Sequence, residues 1–379
     1  MSGFAELALA AEAARTVRPK VALALATLVQ VEGSSYRQPG ARLLVDAEHR
    51  VLAGAISGGC LEGDVAARAE AVCARGVAME LTYDLRDDLQ TIWGFGSACD
   101  GVAHILLEPL PERSWLDEAA AIRHARDGGA VVTVVSESAS GGTIALHAGG
   151  ADGGTWRTLR DGSADMLAGA RRLVDAAQQT ARPVLEHIEV RGVMLSVFVE
   201  PLVPTIALYL IGAGRGANAF AHIASTLGWD VTLIDHRQAL LDSLTLPSSV
   251  RLQCLRASDG ASLITHDART AVALLSHMFA TDLEWLTALL PLSLGYLGVL
   301  GSRQRAAKLF ETLADRGTII TPAMHRVLHA PIGLDLGGET PESIALAAIA
   351  EIEAEMHGRP GGALRDRESP IHTRTKTPG

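Results

Sequence analysis

The stretch from Pro204 to Asp235, PTIALYLIGAGRGANAFAHIASTLGWDVTLID, decides the fold. Ile206 to Ile211 is an apolar run of buried-strand length, and Gly212-Ala213-Gly214-Arg215-Gly216-Ala217 follows it without a gap. Phe220, Ile223, Ala224 and Leu227 then recur at helical spacing until Gly228, where the helix must stop. Val231 to Ile234 forms a second short apolar run that ends in Asp235. The reading is one βαβ unit, the seed of a Rossmann-like doubly wound parallel sheet.

Each small residue in this turn has a task in a dinucleotide site. Gly212 permits the tight turn, Gly214 lets backbone approach a pyrophosphate, and Ala217 allows the helix to lie close against the strand. The helix start offers free N–H groups to phosphate. Asp235 is placed to accept hydrogen bonds from a ribose diol and to repel a 2′-phosphate, which suits NAD or another unphosphorylated nucleotide. A doubly wound domain that keeps the turn and binds no nucleotide is the plainer alternative, because fold does not establish function.

The whole chain has 379 residues, enough for two or three domains, and its 48% hydrophobic and 20% charged composition is that of a globular protein. A net charge of −10 argues against nucleic acid or an anionic membrane as partner. No apolar run reaches the roughly 18 residues of a membrane span. The N-terminus, MSGFAELALAAEAARTVRPK, carries Glu6 and Glu12 and reads as an amphipathic helix rather than a signal peptide, so a cytoplasmic location is expected. Cys60, Cys73, Cys99 and Cys254 form no CxxC pair, and each thiol must be judged separately.

Upstream of the glycine turn, Val21 to Val31 reads as a buried strand opening into Glu32-Gly33-Ser34-Ser35-Tyr36-Arg37-Gln38-Pro39-Gly40, an irregular segment dense in hydroxyls with one guanidinium. Such a set suits phosphate or a polar heterocycle, and equally a solvated turn. Leu43 to Val45 and Val51 to Ile56 read as a hairpin that runs into Ser57-Gly58-Gly59-Cys60-Leu61-Glu62-Gly63-Asp64, with a helix expected over Leu61 to Arg75. Cys60 then sits at or before a helix start, where thiolate is favoured; a buried packing cysteine is the alternative. Met79 to Tyr83 and Val102 to Leu107 read as strands around a glycine-rich turn containing Cys99. Nothing between Glu112 and Arg191 suggests chemistry, and Glu200 to Pro204 reads as a linker.

In the later part, Thr270 to Leu275 should deliver Ser276 and His277 to the carboxyl end of a strand, where doubly wound sheets place ligands. Gly301-Ser302-Arg303 again joins strand to helix. Leu246 to Asp267 and Leu328 to Gly338 read as irregular, and Pro341 starts a helix reaching about Met356. No Ser-His-Asp order, HExxH or phosphate-loop lysine is present.

Taken together, EGSSYRQPGARLLV (Glu32 to Val45), SGGCLEGDV (Ser57 to Val65), Tyr83-Asp84 and LYLIGAG (Leu208 to Gly214) resemble the xanthine dehydrogenase accessory proteins, the XdhC/CoxI family. LGVLGSRQR (Leu297 to Arg305), HAPIGLDLGGETPESIA (His329 to Ala345) and PIH (Pro370 to His372) fit as well, and the match is weakest over about 112–191. The resemblance implies an N-terminal α/β domain over 1–200, a Rossmann-like C-terminal domain over 204–357 and a tail over 358–379. It implies a maturation factor more than an enzyme: a chaperone that binds the molybdenum cofactor, as molybdopterin or its dinucleotide form, assists its sulfuration by a cysteine desulfurase, and delivers it to a xanthine dehydrogenase-type molybdenum hydroxylase. A homo-oligomer is expected. Under this reading Ser34, Ser35, Tyr36, Arg37, Ser57, Gly58, Gly59 and Glu62 contact cofactor, Cys60 meets metal or sulfur, and Cys99 ranks second because GSACDG stands where GCGCNG is expected. Gly212, Gly214, Ala217, Asp235, His277, Ser302 and Arg303 line the second site. The competing reading is an NAD-dependent oxidoreductase using the Rossmann-like domain, which lacks a recognisable proton donor.

Overall fold

Residues 3–86, 101–136, 141–150, 154–160 and 164–368 are described by the structure, a computed structural model, and they fall into two units that divide between Pro204 and Thr205. In the N-terminal unit, α1 (Phe4–Val17) buries Phe4, Leu7, Ala8, Ala11 and Ala14, the spacing of one helical face. It is followed by β1 (Leu23–Gly33), β2 (Arg42–Asp46), β3 (Val51–Gly54), the short helices α2 (Glu62–Ala67) and α3 (Ala69–Arg75), β4 (Met79–Asp84) and β5 (Gly101–Leu110). Then come α4 (Leu116–Ala125), β6 (Gly129–Val135), β7 (Gly142–Ala148), β8 (Thr155–Thr158), α5 (Ala164–Thr180), β9 (Val184–Val190) and β10 (Val193–Pro201).

These elements form two five-stranded antiparallel sheets with orders β3-β2-β1-β5-β4 and β8-β7-β6-β10-β9. The second order is the first with five added to every strand number. Helices fall in the same places, one before the first strand of each repeat, and between the third and fourth strands the pair α2 and α3 in the first repeat and α5 in the second. The N-terminal unit is therefore an internal duplication, and the sequence retains an echo of it: Leu106-Leu107-Glu108-Pro109-Leu110 closes β5, and Phe198-Val199-Glu200-Pro201-Leu202 closes β10. Buried Thr27 lies opposite Arg42 in the first repeat, and buried Thr133 lies opposite Thr143 in the second.

The two repeats meet through equivalent surfaces, as in a symmetric dimer. Glu108 of the first repeat accepts hydrogen bonds from the Thr143 N–H (2.7 Å) and hydroxyl (2.6 Å) of the second. Glu200 of the second repeat pairs with Arg42 of the first at 2.6 Å. Phe4 and Trp115, which open the two halves, stack edge to face at 5.8 Å, and the Arg42 guanidinium lies over both rings. Leu7, Leu25 and Leu44 share one core with Leu116, Val131 and Leu146.

The C-terminal unit contains β11 (Ala207–Ile211), α6 (Ala217–Thr226), β12 (Asp230–Asp235), α7 (Gln238–Leu241), β13 (Arg251–Cys254), α8 (Ala257–Gly260), β14 (Thr270–Leu274), α9 (Phe279–Leu289), β15 (Tyr296–Val299), α10 (Arg303–Asp315), α11 (Pro322–Val327), β16 (Leu328–His329) and α12 (Pro341–Met356). Its six strands are all parallel, in the order β13-β12-β11-β14-β15-β16. That is a doubly wound sheet with its switch point between β11 and β14. Apolar clusters cover both faces, one holding Phe220, Trp229 and Ile349 and the other Trp285, Leu286 and Leu309.

Several elements differ from the sequence expectation. The helix over Leu61 to Arg75 breaks at Arg68 into α2 and α3. The run Val190 to Val199, whose apolar residues read as one strand, spans a hairpin turn, because Arg191 and Gly192 both take positive φ (51° and 81°) and turn the chain within two residues. The supposedly irregular Leu246 to Asp267 contains β13 and α8, and Leu328 to Gly338 contains the two-residue β16. Among the described residues no helix is long and apolar enough to cross a membrane.

Candidate functional site

Because β2 and β5 run antiparallel to β1, and β4 antiparallel to β5, the carboxyl ends of β1, β3 and β4 lie along one edge of the first sheet. The loop 34–41 leaves from β1 and the loop 55–61 from β3, so both sequence motifs of the first repeat emerge at this edge. They touch: the Tyr36 ring covers Gly58, lying 3.6 Å from where a Cβ on that residue would stand. Gly101 packs against the Glu32 and Ser34 carbonyls so closely that a Cβ there would fall 2.5 Å from each oxygen. Only glycine fits.

Within this edge, Ser34 is exposed, Ser35 and Arg37 are half-buried, and Tyr36 is 68% exposed. The Arg37 guanidinium lies 5.9 Å from the Tyr36 ring centre, and its Nε is shielded from solvent without an acceptor among the described residues. Gly58 and Gly59 are exposed, and Gly59 holds φ of 113° with open space around its α-carbon. Cys60 is a free, half-buried thiol set against the core around Ile56, Leu61 and Val65.

Glu62 holds the Cys60 loop in shape. Its Oε1 accepts from the Ile56 (3.2 Å) and Ser57 (2.9 Å) N–H groups, and its Oε2 accepts from the Ser57 hydroxyl and the Leu61 N–H (3.2 Å). Ser57 Oγ in turn accepts from Gly59 and Leu61. Burial raises the Glu62 carboxyl pKa, but these donors outweigh it and the net position is below the ordinary value. Ser57 and Glu62, expected to contact cofactor, thus spend their polar atoms on the loop itself. At the start of α2 this carboxylate also engages the N–H of Leu61.

A second tie went unrecognised in the sequence. The Tyr83 hydroxyl donates to Asp64 Oδ2 (2.5 Å), whose carboxylate also accepts from Arg68 Nε at 3.0 Å. Burial and the neighbouring carboxylate push the phenol well above its ordinary value. This bond joins α2 to β4, two segments that the family-like motifs had marked separately.

In the C-terminal unit the expected residues do converge on the carboxyl edge of the sheet. Gly212 takes φ of 112°, and a Cβ there would come within 2.7 Å of the Ser276 α-carbon. A Cβ on Gly214 would stand 3.7 Å from the His277 ring, and His277 itself holds φ of 56°. Ala217 is fully buried as the first residue of α6. Ser302 caps α10 by accepting the Arg305 N–H (3.2 Å), and Arg303 is exposed beside it. The buried charge near this edge is Asp282, missed from sequence: it pairs with half-buried Arg305 at 2.8 Å and accepts the Ser276 hydroxyl.

Asp235 is the largest departure. Its carboxylate accepts from the Ala213 N–H (2.8 Å) of the glycine turn, the Arg237 N–H (2.9 Å), Arg237 Nε (2.9 Å) and Arg237 Nη2 (2.8 Å). No acceptor position is left for a ribose diol.

Cys99 lies outside the described residues. Among the described residues no group of three or more His, Cys, Asp or Glu side chains could hold a metal.

Comparison with known proteins fits this picture. Residues 16–84 match the model of the XdhC and CoxI family, and residues 208–352 match the model of the XdhC Rossmann domain. The chain is 29% identical over 328 residues to a Bacillus subtilis (strain 168) protein named as a probable xanthine dehydrogenase subunit, covering 86% of this chain and 91% of that one. It is 32% identical over 180 residues to the uncharacterized protein YqeB of Escherichia coli (strain K12), 47% of this chain but only 32% of that protein. A crystal structure of a Bacillus halodurans protein described as a xanthine dehydrogenase shares the fold, with a TM-score of 0.70 at 24% identity over 92% of this chain and 96% of the other.

Proposed function

Since the chain belongs to the XdhC and CoxI family, with one matched segment inside the first repeat and the other across the parallel sheet, we propose that it is an accessory factor for a xanthine dehydrogenase-type molybdenum hydroxylase. In this reading the protein holds the molybdenum cofactor, assists its sulfuration by a cysteine desulfurase and delivers it to the client enzyme. The observation that carries the reading is the meeting of the Ser34–Gly40 and Ser57–Cys60 loops at one sheet edge, through Tyr36 and Gly58.

The residues there fit such a group. Ser34, Ser35, Arg37 with its unpartnered Nε, and the open Gly58–Gly59 backbone supply donors for a phosphorylated pterin. The exposed Tyr36 ring offers a face for a heterocycle. Cys60 supplies one thiol to such a group. Glu62, Ser57, Asp64 and Tyr83 act through the shape of the loop. When bound, the cofactor would supply the molybdenum and the ligand position that takes up sulfur; the protein's part is to hold, orient and shield it.

The duplicated fold supports confining this site to one repeat. The second repeat has Leu159-Arg160-Asp161-Gly162-Ser163 where the first has the Cys60 loop, and a two-residue turn at Arg191-Gly192 where the first has the long segment between β4 and β5. It contributes a symmetric packing partner instead. The alternative of an NAD-dependent oxidoreductase is weakened by Asp235, whose carboxylate is already occupied and cannot receive a ribose diol.

The test is reconstitution. Apo xanthine dehydrogenase is mixed with molybdenum cofactor and a cysteine desulfurase, with or without the purified chain. Faster recovery of hydroxylase activity with the chain, and not with a Cys60→Ala chain, is expected; equal recovery without the chain overturns the proposal.

A further inference from the structure

The conversion of Asp235 from a ligand group into an internal acceptor leaves a different group facing the crevice. A carboxylate offers about four acceptor positions, and four donors occupy them: one from the glycine turn at Ala213 and three from Arg237. Asp235 is 4% exposed, whereas the Arg237 side chain is 38% exposed. Arg237 uses its Nε and Nη2 on Asp235, and its Nη1 has no partner among the described residues. The crevice at the carboxyl ends of β11, β12 and β14 is lined by Gly212, Asp235, His236, Arg237, Ser276 and Trp285 among others, and Asp235 is its only acid among the described residues. His236 Nδ1 stands 3.5 Å from Asp235 Oδ1, adding a second basic group at the same strand end. The first turn of α6 carries no acidic side chain, and Arg215 is exposed within the glycine turn.

We propose that this crevice selects a nucleotide bearing a phosphomonoester at the ribose, of the NADP kind, with Arg237 as the specificity-determining residue. A ribose diol needs a free carboxylate, which Asp235 no longer provides. A 2′-phosphate needs N–H donors without an opposing free negative charge, which the Arg237 Nη1 end provides while Asp235 fixes the fork. The preference runs opposite to the one that the acid at the end of the second strand implied in the sequence. This inference concerns the C-terminal unit alone and does not rest on cofactor binding by the first repeat.

The experiment titrates the full chain with 2′,5′-ADP and with 5′-AMP, which differ by the 2′-phosphate, and with NADPH and NADH by fluorescence. Binding of 2′,5′-ADP at least tenfold tighter than 5′-AMP, with NADPH preferred over NADH, is the expected result. Arg237→Ala removes the guanidinium, frees two of the four acceptor positions of Asp235, and should abolish or reverse that preference, with folding checked by circular dichroism. If 5′-AMP and NADH bind as tightly as the phosphorylated probes, or if none of the four binds, the inference is overturned; the unmodified chain decides this even if the variant fails to fold. Neither outcome touches the reconstitution test of the N-terminal unit.

Discussion

Glu108 and Glu200 are structural equivalents: each precedes a Pro-Leu pair at the end of the last strand of its repeat, and each reaches across to the other repeat. The partners have diverged, to Thr143 for one and Arg42 for the other. A carboxylate received by a hydroxyl and an N–H with the Arg160 guanidinium farther off at 3.6 Å, and a carboxylate received directly by a guanidinium at 2.6 Å, are two solutions to the same problem of joining two sheets.

Breaking the ionic version leaves a buried charge alone. Glu200→Ala or Arg42→Ala is expected to destabilise the N-terminal unit by about 3–5 kcal/mol, because Arg42 is 4% exposed. The paired change Arg42→Met with Glu200→Leu should recover most of that loss. Hydrogen exchange in β1 and β10 measures it; a single-variant effect below about 1 kcal/mol would mean that the pair behaves as a surface bridge.

The loop around Cys60 should respond to its organising carboxylate. Removing the Glu62 side chain strands four donors, at a cost of about 1–3 kcal/mol, and should expose the thiol. Alkylation of Cys60 by iodoacetamide is expected to rise several-fold in Glu62→Ala and little in Glu70→Ala, which lies on the exposed side of α3. An unchanged alkylation rate would show that the loop holds its form without Glu62.

Much of this fold was legible in the sequence, for reasons tied to particular residues. The βαβ unit declared itself because Gly212, Gly214 and Ala217 interrupt strong apolar runs, and the β2–β3 hairpin declared itself through its polar turn. The duplication did not, since Glu108 and Glu200 are separated by a stretch whose loops have changed in length and chemistry. Arg191-Gly192 hid a hairpin because arginine is an uncommon residue at positive φ. The site residues were legible by type and not by partner: Glu62, Ser57 and Asp235 have the right chemistry for ligands, but their nearest donors come from their own loops. Arg305 and Arg237 were invisible as site residues because their roles depend on Asp282 and Asp235, which only the fold brings to them.

Asp235 makes the C-terminal unit sensitive to acid. Burial acts to raise its pKa, and the Arg237 and Ala213 donors outweigh this and depress it from 3.8 to about 2. A depressed carboxyl contributes stability that is present above 3.8 and is lost as pH falls through about 2. Thermal unfolding of the C-terminal unit should therefore weaken across that window, by about 2 kcal/mol in all. Asp235→Asn should be less stable at neutral pH and lose this part of the acid dependence; an identical profile for the two proteins would contradict the assignment.

The two glycines of the turn should differ in tolerance. Gly212→Ala forces a Cβ to within 2.7 Å of the Ser276 backbone at φ of 112°, whereas at Gly214 the nearest contact is the His277 ring at 3.7 Å. Gly212→Ala should cost about 2–4 kcal/mol and Gly214→Ala about 1 kcal/mol or less, read as the shift in thermal unfolding of the C-terminal unit. Equal effects would argue against the close approach of β14 to the turn.

The central claim is tested most directly by cofactor retention. The chain is purified without oxygen from cells that make molybdenum cofactor, then denatured and assayed for oxidised pterin and molybdenum together. Pterin and molybdenum released from the unmodified chain, and lost from Cys60→Ala and Arg37→Ala while Arg237→Ala retains them, is the predicted result. Release of neither from the unmodified chain, or release unaffected by both changes in the first repeat, would contradict it.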